Sequence, residues 1–332
     1  MVVTDTFDRP LGDLRISVID RCNFRCTYCM PKEVFGPGYQ FLPREQLLSF
    51  EEIVTVVEAF VVRGVGKVRL TGGEPLLRKE IETLVGMIAT IDGVADLTLT
   101  TNGSLLARKA RGLADAGLRR VTVSLDALDD PTFQGMNDVG FPVAAVLEAI
   151  DAAAEAGLGP IKINCVVKRG VNEHAVIDLA DHFRSTGHIV RFIEYMDVGS
   201  TNGWRMDQVV PAAEIVSAID SVHPLEPVPA SYPGEVANRF RYRDGQGEVG
   251  VIASVTKPFC GSCTRARVSA EGVLYTCLFA STGTSLREVI RAGDDVGKVV
   301  DEVWEKRDDR YSEIRTSNSR LMVPVEMSYI GG

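Results

Sequence analysis

The chain has 332 residues, of which 45% are hydrophobic and 24% are charged, so it can bury one large core or two smaller ones. Its formal net charge of −9 argues against nonspecific binding to nucleic acid or to an anionic membrane. Any anionic substrate must therefore be held by arginine and lysine side chains at a local site.

The first residues lack the basic and apolar regions of a signal peptide, and no apolar run approaches the ~18 residues of a membrane span. We therefore expect a cytoplasmic protein in a reducing compartment, where clustered cysteines indicate metal or redox chemistry rather than disulfides. The seven cysteines form two groups of three and one single residue: Cys22, Cys26 and Cys29; Cys260, Cys263 and Cys277; and Cys165.

Six strand-like segments alternate with helical segments over the first part of the chain. The predicted strands are residues 14–19, 67–71, 96–101, 120–125, 161–167 and 189–195. This alternation is typical of parallel βαβ units with right-handed crossovers. Six units are too few for a closed eight-stranded barrel. The predicted fold class is therefore α/β, a partial (β/α)6 TIM-type barrel that is open on one side.

Residues 199–233 are rich in Pro, Gly, Ser and Asn and predict a boundary. We assign residues 1–198 to the barrel and residues 199–332 to a C-terminal region. Short alternating segments and two amphipathic helices follow the boundary: 236–242, 248–254, 265–269, 273–276, 285–291 and 294–306. They predict an α+β extension after the barrel.

The first cysteine group has the spacing C-x3-C-x2-C and directly follows the first predicted strand. Soft thiolate ligands select iron–sulfur clusters, zinc or copper. A [4Fe–4S] cluster normally takes four cysteines, so three would leave one iron free to bind a substrate. The alternative is a zinc knuckle, but a closed zinc site needs four ligands and no histidine precedes His174. We favour the cluster.

Strand alternation places polar and basic side chains on the inner face of the predicted barrel. They are Arg15, Ser17, Lys67, Arg69, Thr71, Thr98, Thr100, Thr122, Ser124, Lys162 and Asn164. A packed barrel interior is normally Val, Ile and Leu, and unpaired cations in a dry core are strongly unfavourable. We therefore predict a polar cavity that suits a polyanion. The alternative is an ordinary open sheet with partial exposure. Cys165 falls on the apolar face and is predicted to be a core thiol.

The second cysteine group combines Cys260-Gly-Ser-Cys263 with Cys277. The Cys-x2-Cys pair alone would favour zinc, but no histidine follows His223 and no fourth cysteine is near in the sequence. A second cluster with one open iron is therefore preferred. Arg265 and Arg267 alternate as on a strand and could grip one anion with their planar guanidinium groups. The alternative for them is a solvated strand edge.

Taken together, these motifs resemble the GTP 3′,8-cyclase family, the radical S-adenosylmethionine (SAM) enzymes that open molybdenum cofactor biosynthesis. The likeness covers nearly the whole chain. The segments that carry it are Phe7-Asp-Arg-Pro-Leu, Leu14-Arg-Ile-Ser-Val, Asp20-Arg-Cys-Asn-Phe-Arg-Cys-Thr-Tyr-Cys-Met-Pro, Arg69-Leu-Thr-Gly-Gly-Glu-Pro, Arg191-Phe-Ile-Glu-Tyr-Met, Cys260-Gly-Ser-Cys-Thr-Arg-Ala-Arg and Gly331-Gly332.

The resemblance implies that the α+β extension closes the open side of the barrel. It also implies a role for each matching position. Cys22, Cys26 and Cys29 would hold the SAM-binding [4Fe–4S] cluster, and Cys260, Cys263 and Cys277 a second one on the substrate side. The implied SAM contacts are Tyr28, Gly73, Ser124 and Met196. The implied GTP contacts are Arg15, Arg69, Thr100, Lys162, Arg265, Ala266 and Arg267. Gly331 and Gly332 would support catalysis from a tail threaded into the barrel.

The resemblance also implies a reaction. A 5′-deoxyadenosyl radical made from SAM would take the C3′ hydrogen of GTP, and C3′ would then bond to C8. The product would be (8S)-3′,8-cyclo-7,8-dihydroguanosine 5′-triphosphate, which a cyclic pyranopterin monophosphate synthase would process. An external one-electron donor and a homodimer are implied as well. No nucleic-acid or membrane partner is expected.

Two other readings remain open from the residues alone. A radical SAM enzyme that modifies peptides could carry an auxiliary cluster, although such proteins usually have more C-terminal cysteines and need no basic cavity. A zinc or electron-transfer module would neither cleave SAM nor bind GTP. Metal and sulfide analysis separates these classes.

Overall fold

The structure is a computed structural model that describes residues 2–315 and 323–331. Within these residues the strands form one twelve-stranded sheet. In chain order the strands are β1 Asp13–Ser17, β2 Lys67–Thr71, β3 Asp96–Thr101, β4 Arg120–Ser124, β5 Lys162–Val167, β6 Ile189–Glu194, β7 Leu225–Val228, β8 Asn238–Tyr242, β9 Glu248–Ile252, β10 Arg265–Val268, β11 Val273–Tyr275 and β12 Thr284–Ser285.

The centre of the sheet is the predicted partial barrel, which is confirmed. Strands β1 to β6 are parallel and lie side by side in sequence order. Their register aligns inner-face residues of neighbouring strands, because Arg15 lies beside Arg69 and Arg69 beside Thr98. The carboxyl ends of all six strands therefore meet at one rim, where the loops can form a site.

In chain order the helices are α1 Phe50–Val61, α2 Ile81–Ala89, α3 Leu106–Asp115, α4 Asp130–Asn137, α5 Val143–Glu155, α6 Ala175–Phe183, α7 Ala212–Val222, α8 Leu286–Ala292, α9 Val296–Glu305, α10 Tyr311–Ile314 and α11 Met327–Ile330. Most of them cover the outer face of the sheet, but residues of α10 and α11 line a cavity on the inner face. The apolar strand residues opposite the cavity, such as Leu14, Val68 and Cys165, are buried in one core with the helices. None of the helices in the described ranges has the length and apolar character needed to cross a bilayer.

Helix α1 begins later than the pattern predicted. The sequence indicates one helix over residues 43–63, but a 3-10 turn at Arg44–Gln46 precedes α1 and the chain is extended at Leu47. Ser49 starts α1 with a capping box: its side chain accepts a hydrogen bond from the Glu52 amide, and the Glu52 carboxylate accepts one from the Ser49 amide. This reciprocal cap explains why the helix begins after Ser49.

The C-terminal region extends the same sheet at both edges, which the sequence analysis did not foresee. Strand β10 pairs in parallel with β1, and β9 pairs in parallel with β6. The remaining strands continue outward as antiparallel pairs. Gly234, in the segment between β7 and β8, packs against the Ser262 carbonyl and the Thr264 side chain next to β10. This contact links the two edges across the open side of the barrel.

Candidate functional site

The first cysteine loop lies at the carboxyl end of β1 and is folded around one arginine. The Arg25 guanidinium donates hydrogen bonds to the carbonyls of Cys22 at 2.8 Å, Phe24 at 2.7 Å and Phe35 at 2.7 Å. The Arg25 amide donates to the carbonyl of Asn137 at the end of α4, 3.0 Å away. The loop thus has a fixed backbone, which a set of metal ligands requires.

The three sulfur atoms of this loop all face one cavity. The side-chain nitrogen of Asn102, Nδ2, lies 3.8 Å from Cys22 Sγ. Burial raises the pKa of Cys22 to about 11 and raises those of Cys26 and Cys29 further. Since metals bind the thiolate, loading this site must release protons.

Among the described residues, no three His, Cys, Asp or Glu side chains converge as ligands of a single metal ion. A four-iron cluster has no such requirement, because its cysteines bind different iron atoms. The donor set, three soft thiols on one rigid loop, fits a cluster.

The glycine pair after β2 is needed for a contact between two backbones. A Cβ atom on Gly73 would clash with the Arg21 carbonyl, and one on Gly72 with the Ile19 carbonyl. The Gly73 amide donates to the Ile19 carbonyl at 2.8 Å, and the next amide donates to Arg21. The two glycines therefore let this turn support the cysteine loop, while Gly73 also lines the cavity.

The other proposed SAM contacts, Tyr28, Ser124 and Met196, also line the cavity. The Tyr28 hydroxyl donates to Asp126 Oδ2 at 2.9 Å, and the Val166 amide donates to Asp126 Oδ1 at 2.9 Å. Burial raises the pKa of Asp126 to about 6, although these hydrogen bonds oppose the shift. Asp126 was not predicted as a site residue, although its position in the turn after β4 places it at the rim where the site lies.

The second cysteine group opens onto the same cavity. Cys260 and Cys263 flank a 3-10 turn before β10, and Cys277 follows β11. The Arg265 guanidinium lies 3.1 Å from Cys263 Sγ. Burial alone would raise the pKa of Cys263, but Arg265 and Arg307 lower it to about 7. The environment of Cys263 is therefore positive, whereas burial and then Asp309 raise the pKa of Cys277 to about 12.

Between the two cysteine groups the cavity encloses about 300 Å³, the lower end of the ~300–1,000 Å³ typical of small-molecule sites. Five arginines on its wall make no ion pair with any carboxylate in the described part of the chain. They are Arg15, Arg69, Arg191, Arg265 and Arg267.

The partners of these arginines are neutral groups. Arg69 donates to the hydroxyls of Thr100 at 3.0 Å and Thr122 at 3.2 Å, and Arg191 donates to Asn164 Oδ1 at 2.9 Å. Burial lowers the pKa of Arg191 to about 9. The buried Asp13 carboxylate, which pairs with Lys67 at 3.8 Å, offsets only part of the charge of Arg15, Arg69 and Arg265. Buried cations with too little counter-charge are unfavourable, so this wall favours an anionic ligand.

Two proposed GTP contacts are placed differently from the rest. Ala266 is in register with Leu14 and is buried in the core, so only its backbone could touch a ligand. Lys162 begins β5 and is not among the residues that line the cavity. Burial and then the field of Arg191 lower the pKa of Lys162 to about 7. The positive charge of the cavity wall therefore acts on Lys162, although Lys162 does not line the cavity.

Arg191 was missed by the sequence analysis as a site residue. It lies on β6 beside Asn164 of β5, on the inner face. The motif that contains it was recognised, but the alternation rule was not extended to β6. Applied there, the rule would have placed Arg191 inside and Phe192 in the core, where it is buried.

The C-terminal tail reaches the inner face of the barrel. Gly331 is buried, its carbonyl accepts a hydrogen bond from Arg267, and a Cβ atom on it would clash with the Thr71 hydroxyl. Its φ of +77° is one that glycine adopts readily. Ser328 lines the cavity. Gly332 lies outside the described residues.

A partial barrel with a three-cysteine loop after its first strand defines the radical SAM class. Residues 16–183 match the Radical SAM superfamily, and residues 188–313 match the family described as Molybdenum Cofactor Synthesis C. A solved structure of SuiB from Streptococcus suis, bound to S-adenosylmethionine, shares the fold with a TM-score of 0.65 at 15% identity, over 97% of this chain and 73% of that one. The structure of anSMEcpe with bound AdoMet gives 0.55 at 15% identity, over 94% of this chain and 82% of that one.

Relatives with much higher sequence identity show which family within the radical SAM class this chain belongs to. A GTP 3′,8-cyclase of Acidothermus cellulolyticus is 55% identical over 99% of both chains. The enzyme of that name from Xanthomonas campestris is 53% identical over 99% of this chain and 97% of its own, and the one from Staphylococcus haemolyticus is 44% identical over 99% of both. The chain belongs to the GTP 3′,8-cyclase family of radical SAM enzymes.

Proposed function

We propose that this protein converts GTP to (8S)-3′,8-cyclo-7,8-dihydroguanosine 5′-triphosphate, the first step of molybdenum cofactor biosynthesis. The observation that carries the proposal is the set of five arginines without carboxylate partners between two cysteine groups in one cavity. A triphosphate supplies the negative charge that this wall lacks. The two family matches and the cyclase relatives support the same reaction.

Two clusters would be held by this chain, in addition to SAM and GTP. Cys22, Cys26 and Cys29 would bind the SAM-binding [4Fe–4S] cluster, and Cys260, Cys263 and Cys277 a second [4Fe–4S] cluster. When bound, SAM and the first cluster supply a 5′-deoxyadenosyl radical that can take the C3′ hydrogen of GTP. The three thiols that carry each cluster leave one iron for another ligand.

The side chains of this chain would orient the two substrates. Tyr28, Gly73, Ser124 and Met196 would bind SAM near the first cysteine loop, with Asp126 fixing the Tyr28 hydroxyl. The arginines would hold the triphosphate, so that C3′ of the ribose faces the SAM side. Thr100 would keep Arg69 in place through the hydrogen bond already described, and Lys162 would add a second layer of positive charge.

The tail would complete the site. Arg267 is bonded to the Gly331 carbonyl, so this arginine can position both the tail and a phosphate. Deleting Gly331 and Gly332 should nearly stop GTP cyclisation and leave SAM cleavage without product in place.

Further partners belong to this proposal. They are an external one-electron donor, a second copy of the chain in a homodimer, and a cyclic pyranopterin monophosphate synthase that takes the product. We propose a cytoplasmic location, and a division into residues 1–198 and 199–332 that separates the two cysteine groups.

Anaerobic incubation with SAM, a reductant and each of the four nucleoside triphosphates in turn tests the proposal. Of the four nucleotides, we expect only GTP to give a cyclised product, because the base must also fit beside the second cysteine group. Cleavage of SAM with no modified nucleotide would contradict the proposal and favour a radical SAM enzyme for another substrate. Zinc as the only metal would exclude both.

A further inference from the structure

The N-terminal motif Phe7-Asp8-Arg9-Pro10-Leu11 has no role in the proposed reaction so far. In the structure it lies against the second cysteine group, since Arg9 donates Nη1 to the Cys260 carbonyl at 2.8 Å. We propose that Asp5, Arg9 and Arg307 are positioning residues that hold the three cysteines of the second cluster in place, with Asp5 joining the two arginines. The inference rests on the second cluster of the proposed function.

The two guanidinium groups reach a backbone carbonyl at or next to each of the three cysteines. Arg9 holds the Cys260 carbonyl, as described. Arg307 donates Nη1 to the Cys263 carbonyl at 2.9 Å and Nε to the Thr276 carbonyl at 3.1 Å, and Thr276 directly precedes Cys277. One carbonyl at or next to each cysteine is therefore fixed by this pair. The position of Cys277 relative to Cys260 and Cys263 depends on these carbonyls, because β10 and β11 lie between the two segments in the sequence.

Asp5 connects the pair. Its Oδ2 atom accepts from Arg9 Nε at 2.6 Å and from Arg307 Nη1 at 2.8 Å. The side chains of Asp5, Arg9 and Arg307 are only 0%, 2% and 1% exposed. Trp304 packs over the network, with the Arg307 guanidinium 4.6 Å from its ring and its indole nitrogen donating to the Arg9 carbonyl at 3.1 Å.

Without the Asp5 charge, Arg9 would have no carboxylate partner in the described part of the chain, and Arg307 would keep only Asp309, whose Oδ2 atom lies 3.5 Å from Arg307 Nε. The two buried guanidinium groups would then face each other without the charge that joins them. Like charges in a buried place repel strongly, so they would separate or take up water. Because each guanidinium is bonded to cysteine-segment carbonyls, that separation would change the distances among Cys260, Cys263 and Cys277. Metal-site affinity depends on such outer hydrogen bonds.

The effect should be confined to the second site. The first cysteine loop is organised by Arg25, whose carbonyl partners are Cys22, Phe24 and Phe35. Neither Asp5 nor the two network arginines contacts that loop in the hydrogen bonds and ion pairs of the described residues. A defect in the network should therefore spare the first cluster.

The variant Asp5→Asn isolates this role. Oδ1 of Asp5 accepts from the amides of Phe7 and Arg9, both at 3.0 Å, and an asparagine keeps one oxygen for that turn. Its NH2 group would replace Oδ2 and cannot accept from guanidinium groups. Asp8→Asn is the matched control, because it makes the same chemical change on an exposed side chain three residues away.

The test is anaerobic cluster loading of the parent protein, Asp5→Asn, Asp8→Asn and Cys263→Ser, followed by iron and sulfide analysis and electron paramagnetic resonance of the reduced proteins. We expect Asp5→Asn to lose about half of the parent's iron and to give the spectrum of Cys263→Ser. Its uncoupled SAM cleavage should remain, and Asp8→Asn should match the parent.

Arg9→Lys keeps the charge but cannot reach both Asp5 and Cys260, so it provides a second reading if Asp5→Asn does not fold. It should lose second-cluster iron selectively. Parental iron and spectra in both Asp5→Asn and Arg9→Lys would overturn the inference. A parent protein with only one cluster would instead contradict the second cluster of the proposed function, a result that the parent sample alone reveals.

Discussion

Individual arginines on the cavity wall carry the substrate assignment. Arg15 and Arg69 each have a buried Nε atom with no hydrogen-bond partner in the described residues. A buried donor without a partner is costly, and a charged one more so. Such residues are stable when a ligand supplies the missing acceptors, and phosphate oxygens are suited to guanidinium groups.

Arg191→Ala tests this at one residue. Removing a charged hydrogen-bond donor should weaken GTP binding by about 1.5–3 kcal/mol, with little change in SAM binding. Equilibrium titration of the anaerobic protein with GTP measures it. Arg111→Ala is the matched control, since Arg111 is 79% exposed on α3 and should bind GTP as the parent does. Unchanged GTP affinity in Arg191→Ala would remove this side chain from the site.

Lys162 predicts a pH dependence. Its pKa is lowered to about 7, first by burial and then by Arg191, so at pH 8 it is mostly neutral in the free protein. A bound triphosphate favours the charged form and raises that pKa, so GTP binding should take up protons at pH 8. GTP affinity should then fall as the pH rises above about 7.

Calorimetry at pH 8 in buffers of different ionisation enthalpy measures the proton uptake. Lys162→Met removes the titrating group and keeps the length of the side chain, so its uptake should be smaller than that of the parent. Equal uptake in both proteins would show that another group takes up the proton.

Within each strand, the periodicity of the sequence predicted which side chains face inward. The pairing of strands that are distant in the sequence could not be predicted. The alternation of polar and apolar residues correctly placed Arg15, Arg69 and Thr100 inside, because the side-chain period of a strand is independent of its partners. The parallel pairing of β10 with β1 was not predictable in the same way. It joins segments about 250 residues apart, and neither strand encodes its neighbour.

The same limit applies to the site. The two cysteine groups were found because ligand spacing is local. The network of Asp5, Arg9 and Arg307 was not found, because its central contact joins residues 302 positions apart. Asp126 and Arg191 could have been predicted from the sequence. Asp126 lies just after the end of β4, and Arg191 lies at an inner-face position of β6.

One contact that holds the tail, beside those of Arg267 with Gly331 and of Tyr329 with Glu271, is made by a carboxylate that can be removed. Glu326 accepts hydrogen bonds from the Ser200 amide at 2.9 Å, the Ser200 hydroxyl at 2.8 Å and the Thr201 hydroxyl at 3.0 Å. Gly199 allows this approach, because a Cβ atom there would clash with the carboxylate. These contacts attach the tail to the loop after β6.

Glu326→Ala should therefore slow GTP cyclisation by at least about tenfold, since hydrogen bonds to charged groups contribute about 1.5–3 kcal/mol. Uncoupled SAM cleavage should continue, because the first cysteine loop is untouched. Product analysis beside 5′-deoxyadenosine analysis separates the two activities. Glu305→Ala, on an exposed position of α9, is the control. Parental cyclisation in Glu326→Ala would show that this anchor is dispensable.

At the scale of the whole molecule, one cavity connects two cysteine groups with different surroundings. The two groups should therefore be separable by mutation. We expect Cys26→Ser to abolish SAM cleavage, because it removes a ligand of the SAM-binding cluster. Cys263→Ser should retain slow SAM cleavage but form no cyclised product. Parental cyclisation in Cys263→Ser would remove the second group from the chemistry, as measured by product formation per SAM cleaved.

In the proposed reaction, one cavity brings C3′ of GTP to the radical made from SAM. Deuterium transfer measures this directly: the protein is incubated anaerobically with SAM, a reductant and GTP deuterated at C3′, and the 5′-deoxyadenosine is analysed by mass spectrometry. We predict that 5′-deoxyadenosine gains one deuterium while the cyclised product loses it. Cyclised product together with unlabelled 5′-deoxyadenosine would contradict the proposed transfer of the C3′ hydrogen of GTP to the radical made from SAM.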